Sequence, residues 1–296
     1  MNSFKSGFIS ILGRPNVGKS TLLNRILGEK IAIISRKPQT TRTRILGIKN
    51  LENGQLIFYD TPGIHRSRSK FQESMVSAAF QAGKNTDLIL LLTEAHRPQI
   101  EEDKSILEDL FPCEIPIFLI INKVDLVRKP SILPLIETYR AVHPFQEIIP
   151  LSALRGEGVD GLNGTIQQYL PFGSKYFPED MTTDQSERFL AAEMIREKIF
   201  EHTYQEIPYS VGVTIERFKD ESERNLLSIS AVIVVEKKSQ RAILIGRGGD
   251  MLKRIGSQAR RDMEAFFRTK VFLQLWVKVV KNWSDDPRLL NEMGYG

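Results

Sequence analysis

The sequence is poor in the residues that build disulfide scaffolds and membrane spans. It contains a single cysteine, Cys113, which permits no internal disulfide and no cysteine-rich metal site and fits a reducing compartment. Its longest apolar runs, such as DLILLLT at 87–93, have only the length of a strand. The stretch MNSFKSGFISILGRPNVGK likewise has too short an apolar run for a signal peptide or a membrane span. We therefore expect a cytoplasmic globular protein.

Basic residues are in slight excess and are concentrated in one place. The 296 residues include 41 Lys and Arg against 36 Asp and Glu, a net charge of +5. The range 237–270 alone holds ten basic residues and three acidic ones. Such a patch is typical of a nucleic-acid-binding face, but a solvated helix surface has the same composition, and charge alone does not separate the two.

The first part of the chain alternates strand-like and helix-like segments. Amphipathic segments of helix length lie between most of the apolar runs, so β-α repeats should build a mostly parallel sheet. The exception is ILGIKNLENGQLIFYD, where Asn53-Gly54 separates two strand-like runs and predicts a hairpin. One strand should therefore run antiparallel at the sheet edge. The predicted strands lie at 8–12, 56–60, 87–93, 116–121 and 146–150.

The composition changes after residue 170. The stretch PFGSKYFPEDMTTDQ, 171–185, has two prolines and small polar residues and is typical of a linker. A helix and two strand-like runs follow, then a second glycine-rich loop, another helix and a last strand. We place a first domain at 1–172, a linker at 173–185 and a second domain at 186–296.

The first glycine-rich loop, GRPNVGKS at 13–20, fits the pattern G-x-x-x-x-G-K-[ST] between a strand and a helix. In that setting backbone N–H groups wrap phosphates and the helix N-terminus adds a favourable dipole. Lys19 would reach the outer phosphates, and the Ser20 hydroxyl would bind Mg²⁺. The residues expected to line the nucleotide here are Asn16, Val17, Gly18, Lys19, Ser20 and Thr21.

Three further motifs, each at the end of a predicted strand, complete a guanine-nucleotide site. In YDTPG, Asp60 can hold Mg²⁺ through water, and the Gly63 N–H can meet a γ-phosphate. In NKVD, Asp125 offers two carboxylate oxygens to the N1–H and 2-amino group of guanine, a pair of donors that adenine lacks. In SAL, the Ala153 N–H can meet guanine O6. The other residues assigned to GTP or GDP are Asn122, Lys123, Ser152 and Leu154.

The sequence lacks a polar residue just after the glycine of DTPG, where some GTPases carry a water-orienting glutamine. Ile64 occupies this position, and His65 beside it is best interpreted as a surface residue. Hydrolysis should therefore be slow, or depend on water positioned by the backbone, Mg²⁺ or an added cation. The stretch SRKPQTTRTR, 35–44, has the profile of a mobile switch whose Thr41 closes onto Mg²⁺. The candidate catalytic residues are Lys19, Thr41 and Gly63, and the candidate metal ligands are Ser20, Thr41 and Asp60.

The second glycine-rich loop, Gly246-Arg247-Gly248-Gly249, does not fit a nucleotide-binding pattern. A P-loop would require a further glycine where Met251 or Lys253 stands, and a G-x-G-x-x-G loop also fails at Met251. What remains is G-x-x-G between two helical segments, after a helix and two strands and before a helix and a strand. This is the order of a KH domain of the prokaryotic type, whose glycine backbone lets single-stranded RNA pass closely.

The helix after this loop divides into a basic face and an apolar face. The apolar residues recur at helical spacing and are interpreted as core: Leu252, Ile255, Ala259, Met263 and Phe266. Phosphate contacts can also come from Arg260 and Arg261. The residues expected to contact RNA are Gly246, Arg247, Gly248, Gly249, Lys253 and Arg254.

Together, GRPNVGKSTLLN, KPQTTRTRILGI, DTPGIH, NKVD and SALRGEGVDGL resemble the bacterial Era family of GTPases. The similarity extends to MTTDQSERFLAAEMIREKIF, EIPYS and LIGRGGDMLKRIG, and so covers nearly the whole chain. It implies an α/β P-loop GTPase domain, mostly parallel with one antiparallel edge strand, followed by an α+β KH domain of the prokaryotic type. It also implies binding to the 3′ region of small-subunit ribosomal RNA and a role in assembly of the small ribosomal subunit.

The resemblance also assigns roles to individual residues. An asparagine placed like Asn16 helps to ligate a potassium ion in related GTPases. The resemblance carries the phosphate role to Lys19 and Ser20, the switch metal role to Thr41, the γ-phosphate role to Gly63 and the guanine role to Asn122 and Asp125.

Two other functions stay open on the sequence. One is a GTP-dependent translation or tRNA factor, although Cys113 lies in no catalytic or cofactor context. The other is a GTP-regulated adaptor that does not hydrolyse GTP, since Ile64 cannot orient water. A need for K⁺ and a weak peripheral contact with the inner face of the cell membrane also stay open, and no stable homo-oligomer is indicated.

Overall fold

A computed structural model describes residues 4–35, 37, 44–61, 86–110, 115–204 and 207–293. These residues form two compact units. The first holds the described residues within 4–32 and 44–184, and the second holds those within 33–37 and 185–293. In the part of the chain that the structure describes, no helix is long and apolar enough to cross a membrane.

The first unit is built on a six-stranded sheet in the order β2-β3-β1-β4-β5-β6. Strand β2 pairs antiparallel with β3 at the sheet edge, and all other pairs are parallel. This confirms the predicted mostly parallel sheet with one antiparallel edge strand. The strands are β1 (Lys5–Gly13), β2 (Ile45–Leu51), β3 (Gly54–Asp60), β4 (Leu88–Glu94), β5 (Ile117–Asn122) and β6 (Glu147–Pro150).

The β2–β3 hairpin turns one residue earlier than the Asn53-Gly54 pattern indicates. Leu51 pairs with Gly54, so the two linking residues are Glu52 and Asn53, and Gly54 is the first residue of β3. A Cβ at Gly54 would lie 2.8 Å from the carbonyl oxygen of Lys5. Glycine is therefore needed here for the close approach of β1 and not for the turn itself.

Helices cover the sheet of the first unit with their apolar faces. They are α1 (Lys19–Leu27), α2 (Ile100–Leu110), α3 (Ile132–Arg140) and α4 (Val159–Tyr169). Helix α1 starts directly after the glycine-rich loop that follows β1. The carboxyl ends of β1, β3, β5 and β6 thus gather at one edge the motifs found in the sequence, as expected for an open α/β sheet.

Residues 173–184, assigned to a linker on composition, pack along the edge of this sheet. The Ile48 N–H donates to the Thr182 carbonyl at 2.8 Å, and the Thr183 hydroxyl donates to the Leu46 carbonyl at 2.6 Å. Phe177 packs on an apolar cluster of β2 and β3. The first compact unit consequently extends to residue 184.

The second unit has the element order helix-strand-strand-helix-helix-strand, as the sequence predicts. Its sheet has the order β7-β8-β9, with β7 and β8 antiparallel and β8 and β9 parallel. A short terminal helix, α8, follows. The elements are α5 (Glu187–His202), β7 (Val211–Glu221), β8 (Leu226–Val235), α6 (Lys238–Ile245), α7 (Asp250–Phe267), β9 (Lys270–Val279) and α8 (Pro287–Glu292).

The core of the second unit lies between its sheet and helices α5 and α7. Ile255, Ala259 and Met263 of α7 are fully buried, and Leu252 and Phe266 pack against them. The apolar stripe is therefore core, as predicted. Its opposite face is left to polar and basic residues.

A short segment between α1 and β2 also belongs to the second unit. The Ile34 N–H donates to Glu197 Oε1 at 3.2 Å. The Lys37 ammonium donates to the carbonyl oxygens of Phe200 and Thr203, at the C-terminal end of α5. A cation at this end of a helix satisfies carbonyls that have no partner within the helix.

Candidate nucleotide site and RNA interface

The glycine-rich loop at 13–18 is packed too tightly for side chains at its last position. Gly18 has φ +104°, and a Cβ there would lie 2.3 Å from Asn122 Nδ2. The residue can therefore only be glycine, which exposes the backbone just before the first turn of α1. Unpaired N–H groups at that helix end favour a phosphate.

Lys19 is buried at the start of α1 and is held by the loop itself. Its ammonium donates to the carbonyl oxygens of Gly13 at 3.0 Å and Arg14 at 2.9 Å. An ammonium has three donors, so one remains to be directed at a phosphate. Burial lowers the pKa of Lys19 from 10.5 to about 8; the Asp60 carboxylate opposes this shift and the Arg14 guanidinium adds to it.

The lowered pKa of Lys19 predicts that nucleotide affinity depends on pH. Bound phosphates require the charged ammonium, but above pH 8 the free protein holds Lys19 in its neutral form. Binding must then take up a proton, so GDP affinity should fall about tenfold between pH 7 and pH 9. Titration of fluorescent GDP at fixed Mg²⁺ measures this fall. A Lys19→Arg variant, which stays charged, should give a flat profile, and a flat wild-type profile would contradict the shift.

Ser20 and Asp60 meet where a phosphate-bound cation would lie. The Ser20 hydroxyl donates to Asp60 Oδ2 at 2.6 Å, and Asp60 is fully buried at the end of β3. A hydroxyl and a carboxylate are oxygen donors of the kind that Mg²⁺ prefers, with phosphates and waters supplying the rest. Thr21 follows within the first turn of α1. Thr41, Gly63, Ile64, His65 and Cys113 lie outside the described residues.

Asp125 lies just after β5 with its carboxylate held in place. The Ser152 hydroxyl donates to Asp125 Oδ1 at 2.6 Å. Arg155 Nε lies 3.8 Å from Asp125 Oδ2, and the Asp125 side chain is only 6% exposed. A nearly buried carboxylate with a fixed orientation can discriminate strongly between bases, because a wrong base leaves it unpaired.

Asn122 joins three loops of the site. Its Nδ2 donates to the Val17 carbonyl at 2.8 Å, and its Oδ1 accepts from the N–H groups of Lys123 and Ala153 at 2.8 and 3.0 Å. The Ala153 N–H expected to meet guanine O6 thus donates to Asn122 here. Any bond from Ala153 to the base has to share this proton.

Lys123 connects the guanine side of the site to the phosphate loop. Its ammonium donates to the carbonyl oxygen of Asn16 at 2.7 Å and forms an ion pair with Glu94 at the end of β4. Asn16 and Lys123 both have positive φ, 65° and 63°.

The contacts of Ser20 with Asp60, of Asn122 with Val17 and Ala153, and of Ser152 with Asp125 bring together the described residues of all four motifs.

Sequence reasoning missed Arg25, which supports the SAL loop from helix α1. Its Nε donates to the Ala153 carbonyl at 3.2 Å, and its guanidinium also donates to the Leu154 carbonyl. The residue has the spacing of an ordinary exposed helix position. Because its partners are backbone carbonyls more than a hundred residues away, no local pattern could have identified it.

The second glycine-rich loop exposes its backbone at the start of α7. Gly248 and Gly249 have φ of +61° and +87°, and no atom lies within 4 Å of the Cβ that either would carry. At Gly246, in contrast, a Cβ would lie 2.8 Å from Met251 Cβ. Gly246 is therefore required by packing, while Gly248 and Gly249 present open backbone to solvent next to the exposed Arg247.

One face of α7 carries basic side chains beside two surface depressions. The first, of about 430 Å³, is lined by Lys253, Arg254 and Ser257 with the start of the helix. The second, of about 720 Å³, is lined by Arg260 and the start of β9 among others. Residues 253, 257 and 260 follow helical spacing and share this face. The part of the sequence patch that lies on α7 thus runs along one helix face from the glycine loop, where Asp250 and Glu264 line the same two depressions.

Comparison with known families agrees with the folds of both units. Residues 8–123 match the family described as 50S ribosome-binding GTPase, and residues 206–284 match the KH domain family. The fold and the site define a P-loop GTPase that carries a KH domain.

Relatives that match over the whole chain identify the family within this class of GTPases. The chain is 56% identical to GTPase Era of Syntrophus aciditrophicus, over 99% of the chain and 95% of that protein, and 54% identical to GTPase Era of Geotalea uraniireducens, over 99% and 98%. The chain belongs to the Era family of GTPases and is an enzyme that hydrolyses GTP.

Two solved structures of Era cover the same length at 42% identity. One is Era in complex with MgGDPNP and nucleotides 1506–1542 of 16S ribosomal RNA, with a TM-score of 0.92 over 99% of both chains. The other is a variant of Aquifex aeolicus Era bound to GDP·AlF₄⁻, with a TM-score of 0.94 over 99% of this chain and 100% of the other.

Proposed function

We propose that this chain is a GTP-hydrolysing switch protein that binds single-stranded RNA near the 3′ end of small-subunit ribosomal RNA and acts in assembly of the small ribosomal subunit. The observation that carries the proposal is the open backbone at Gly248 and Gly249, which adjoins the basic face of α7. A solved Era structure of the same fold holds nucleotides 1506–1542 of 16S ribosomal RNA.

The dimensions of the basic face suit a short single strand. Helix α7 has 18 residues, which corresponds to a length of roughly 27 Å. KH domains clamp about four nucleotides beside the G-x-x-G loop. We assign backbone approach to Gly248 and Gly249, with Gly246 holding the turn that presents them, and phosphate contacts to Arg247, Lys253 and Arg254, with Arg260 extending the same face.

In the nucleotide site we assign the phosphates to Lys19, Ser20 and the backbone of 16–21, and guanine to Asp125, Asn122 and the SAL loop. The relative solved with MgGDPNP supports Mg²⁺ as the metal, with Ser20 and Asp60 as its oxygen donors in this chain. Mg²⁺ neutralises charge on the phosphates when it is bound. Thr41 and Gly63 remain predictions for the switch and γ-phosphate roles.

Crosslinking to RNA in cells, followed by sequencing, tests the proposed partner. Reads from the wild-type protein should concentrate at the 3′ end of small-subunit ribosomal RNA and be lost in a Gly248→Asp variant. Reads dominated by tRNA would favour the translation-factor alternative. Phosphate release over many turnovers, with and without this RNA, measures how RNA binding affects GTP hydrolysis.

Hydrolysis should respond to potassium if an added cation positions the water. The reasons are Ile64, which cannot hydrogen-bond to water, and Asn16, which lies in the exposed part of the phosphate loop. Rates in KCl should exceed those in NaCl at equal ionic strength, and Asn16→Ala should remove the difference. If the wild-type rates are equal in the two salts, the added cation plays no part, and the backbone and Mg²⁺ alone position the water.

The remaining expectations stay predictions. They are the slow intrinsic rate, the cytoplasmic location, the weak peripheral membrane contact, the absence of a stable homo-oligomer, and the functional division at 1–172, 173–185 and 186–296, of which residues 173–184 pack with the first compact unit.

A further inference from the structure

A buried polar cluster lies behind the phosphate loop and is not used by the nucleotide assignment above. Its members come from four elements: Arg14 from the loop, Thr93 from β4, Asp103 from α2 and Tyr139 from α3. Thr93, Asp103 and Tyr139 are fully buried, and Arg14 is 6% exposed. The side chain of Arg14 therefore points into the protein and away from solvent.

Asp103 is the centre of the cluster. Its Oδ1 accepts from Arg14 Nε at 2.8 Å, and its Oδ2 accepts from the hydroxyls of Thr93 at 2.7 Å and Tyr139 at 2.6 Å. Arg14 Nη2 also donates to the Thr93 hydroxyl at 3.4 Å. One carboxylate thus receives three donors from three different elements of the first unit.

Stability alone does not explain such a cluster. Taking an ion pair out of water is expensive, and well-packed apolar residues of similar volume often stabilise a protein equally well or better. A hydrogen-bonded pair can instead fix the position of the backbone that carries it. The backbone in question holds Lys19, because the carbonyl oxygens of Gly13 and Arg14 accept from its ammonium.

We propose that Asp103 is a positioning residue for GTP binding and hydrolysis. Through Arg14 it holds the Gly13 and Arg14 carbonyls against the Lys19 ammonium, and so directs the remaining donor of that ammonium to the phosphates. The inference rests on the proposed nucleotide site. It extends that site to α2, whose Asp103 contacts the loop through Arg14, and to α3, whose Tyr139 contacts Asp103.

The main test measures GDP affinity, kcat and KM for GTP in an Asp103→Asn variant. The amide keeps the size of the carboxylate but loses its charge and one acceptor oxygen. GDP affinity and kcat should each fall at least tenfold. Leu107→Ala, a buried apolar change on the same helix, should lower the melting temperature while leaving kcat within twofold of wild type.

A double-mutant cycle with Lys19 separates positioning from general destabilisation. If Asp103 acts through Lys19, the Asp103→Asn change should alter GDP affinity less than twofold in a Lys19→Met background. An equal loss in both backgrounds would overturn the inference. If Lys19→Met itself binds and hydrolyses GTP normally, the nucleotide site is wrong. If Lys19→Met is impaired but Asp103→Asn binds and hydrolyses GTP normally, the nucleotide site stands and only the positioning role of Asp103 is wrong.

A second variant keeps the test decisive if Asp103→Asn folds poorly. Arg14→Met combined with Asp103→Leu removes both charges, while the Thr93 and Tyr139 hydroxyls, 2.9 Å apart, can still pair with each other. A purely structural cluster predicts that stability and kcat both recover in this double variant. The positioning role predicts that the melting temperature recovers and that kcat stays at least tenfold below wild type, so full activity in it would overturn the inference.

Discussion

An Asp125→Asn variant should bind XTP more tightly than GTP, whereas the wild-type protein should prefer GTP. In the proposed site Asp125 accepts the two donors on the edge of guanine, and xanthine carries an oxygen in place of the 2-amino group. An asparagine amide presents one acceptor and one donor, which matches xanthine and leaves guanine with an unpaired donor. The cost of such a mismatch in a nearly buried site is about 2–3 kcal/mol, or roughly 30- to 150-fold in relative affinity.

Competition of XTP and GTP against fluorescent GDP measures this exchange. Ser152→Ala is the matched control, because it removes the hydroxyl that donates to Asp125 Oδ1 and retains the carboxylate. That control should bind all guanine nucleotides more weakly, by about 1 kcal/mol, with its preference over XTP intact. An Asp125→Asn protein that still prefers GTP would show that the guanine edge is read elsewhere.

Gly248→Asp should lower RNA affinity at least tenfold, which corresponds to about 1.4 kcal/mol. In the proposed interface the substitution adds a side chain where the RNA backbone would approach, and it adds a negative charge that would face phosphates. The fold should tolerate it, since the new Cβ meets no atom within 4 Å and aspartate accepts positive φ better than most residues. Titration of single-stranded RNA matching the 3′ end of small-subunit ribosomal RNA measures the loss.

Two further variants separate the contribution of charge from that of shape in RNA binding. Gly248→Asn has nearly the same shape without the charge, so its loss of affinity should be smaller and less dependent on salt. Arg254→Ala should weaken binding similarly for all RNA sequences and lower the slope of log affinity against log salt by about 0.7–1. If Gly248→Asp binds RNA with wild-type affinity, this loop is not part of the RNA interface.

The strands and the motifs at their ends could be predicted because the signals are local. An apolar run before GRPNVGKS or NKVD specifies a buried strand, and the parallel order then places Lys19 and Asp125 at one edge of the sheet. The order of elements around Gly246 specified the second unit in the same way. Periodicity was also sufficient to assign Ile255, Ala259 and Met263 to the core.

The supports of these sites could not be predicted, because they depend on contacts between distant elements. Arg14 is an unspecified position of the glycine-rich loop, and Asp103 is one of several acids in α2. Only the fold shows that they pair. The segment 173–184 has the composition of a linker, but its backbone completes hydrogen bonds with edge strand β2, which composition does not reveal.

The central claim is that one chain holds GTP in its first glycine-rich loop and single-stranded RNA in its second. A crossed titration tests it most directly, with GTP and the 3′-end RNA each titrated into wild type, Asp125→Asn and Gly248→Asp. Asp125→Asn should lose GTP binding and keep RNA binding, and Gly248→Asp should lose RNA binding and keep GTP binding. A single substitution that abolishes both activities in a folded protein, or a Gly248→Asp variant that loses GTP alone, would contradict it.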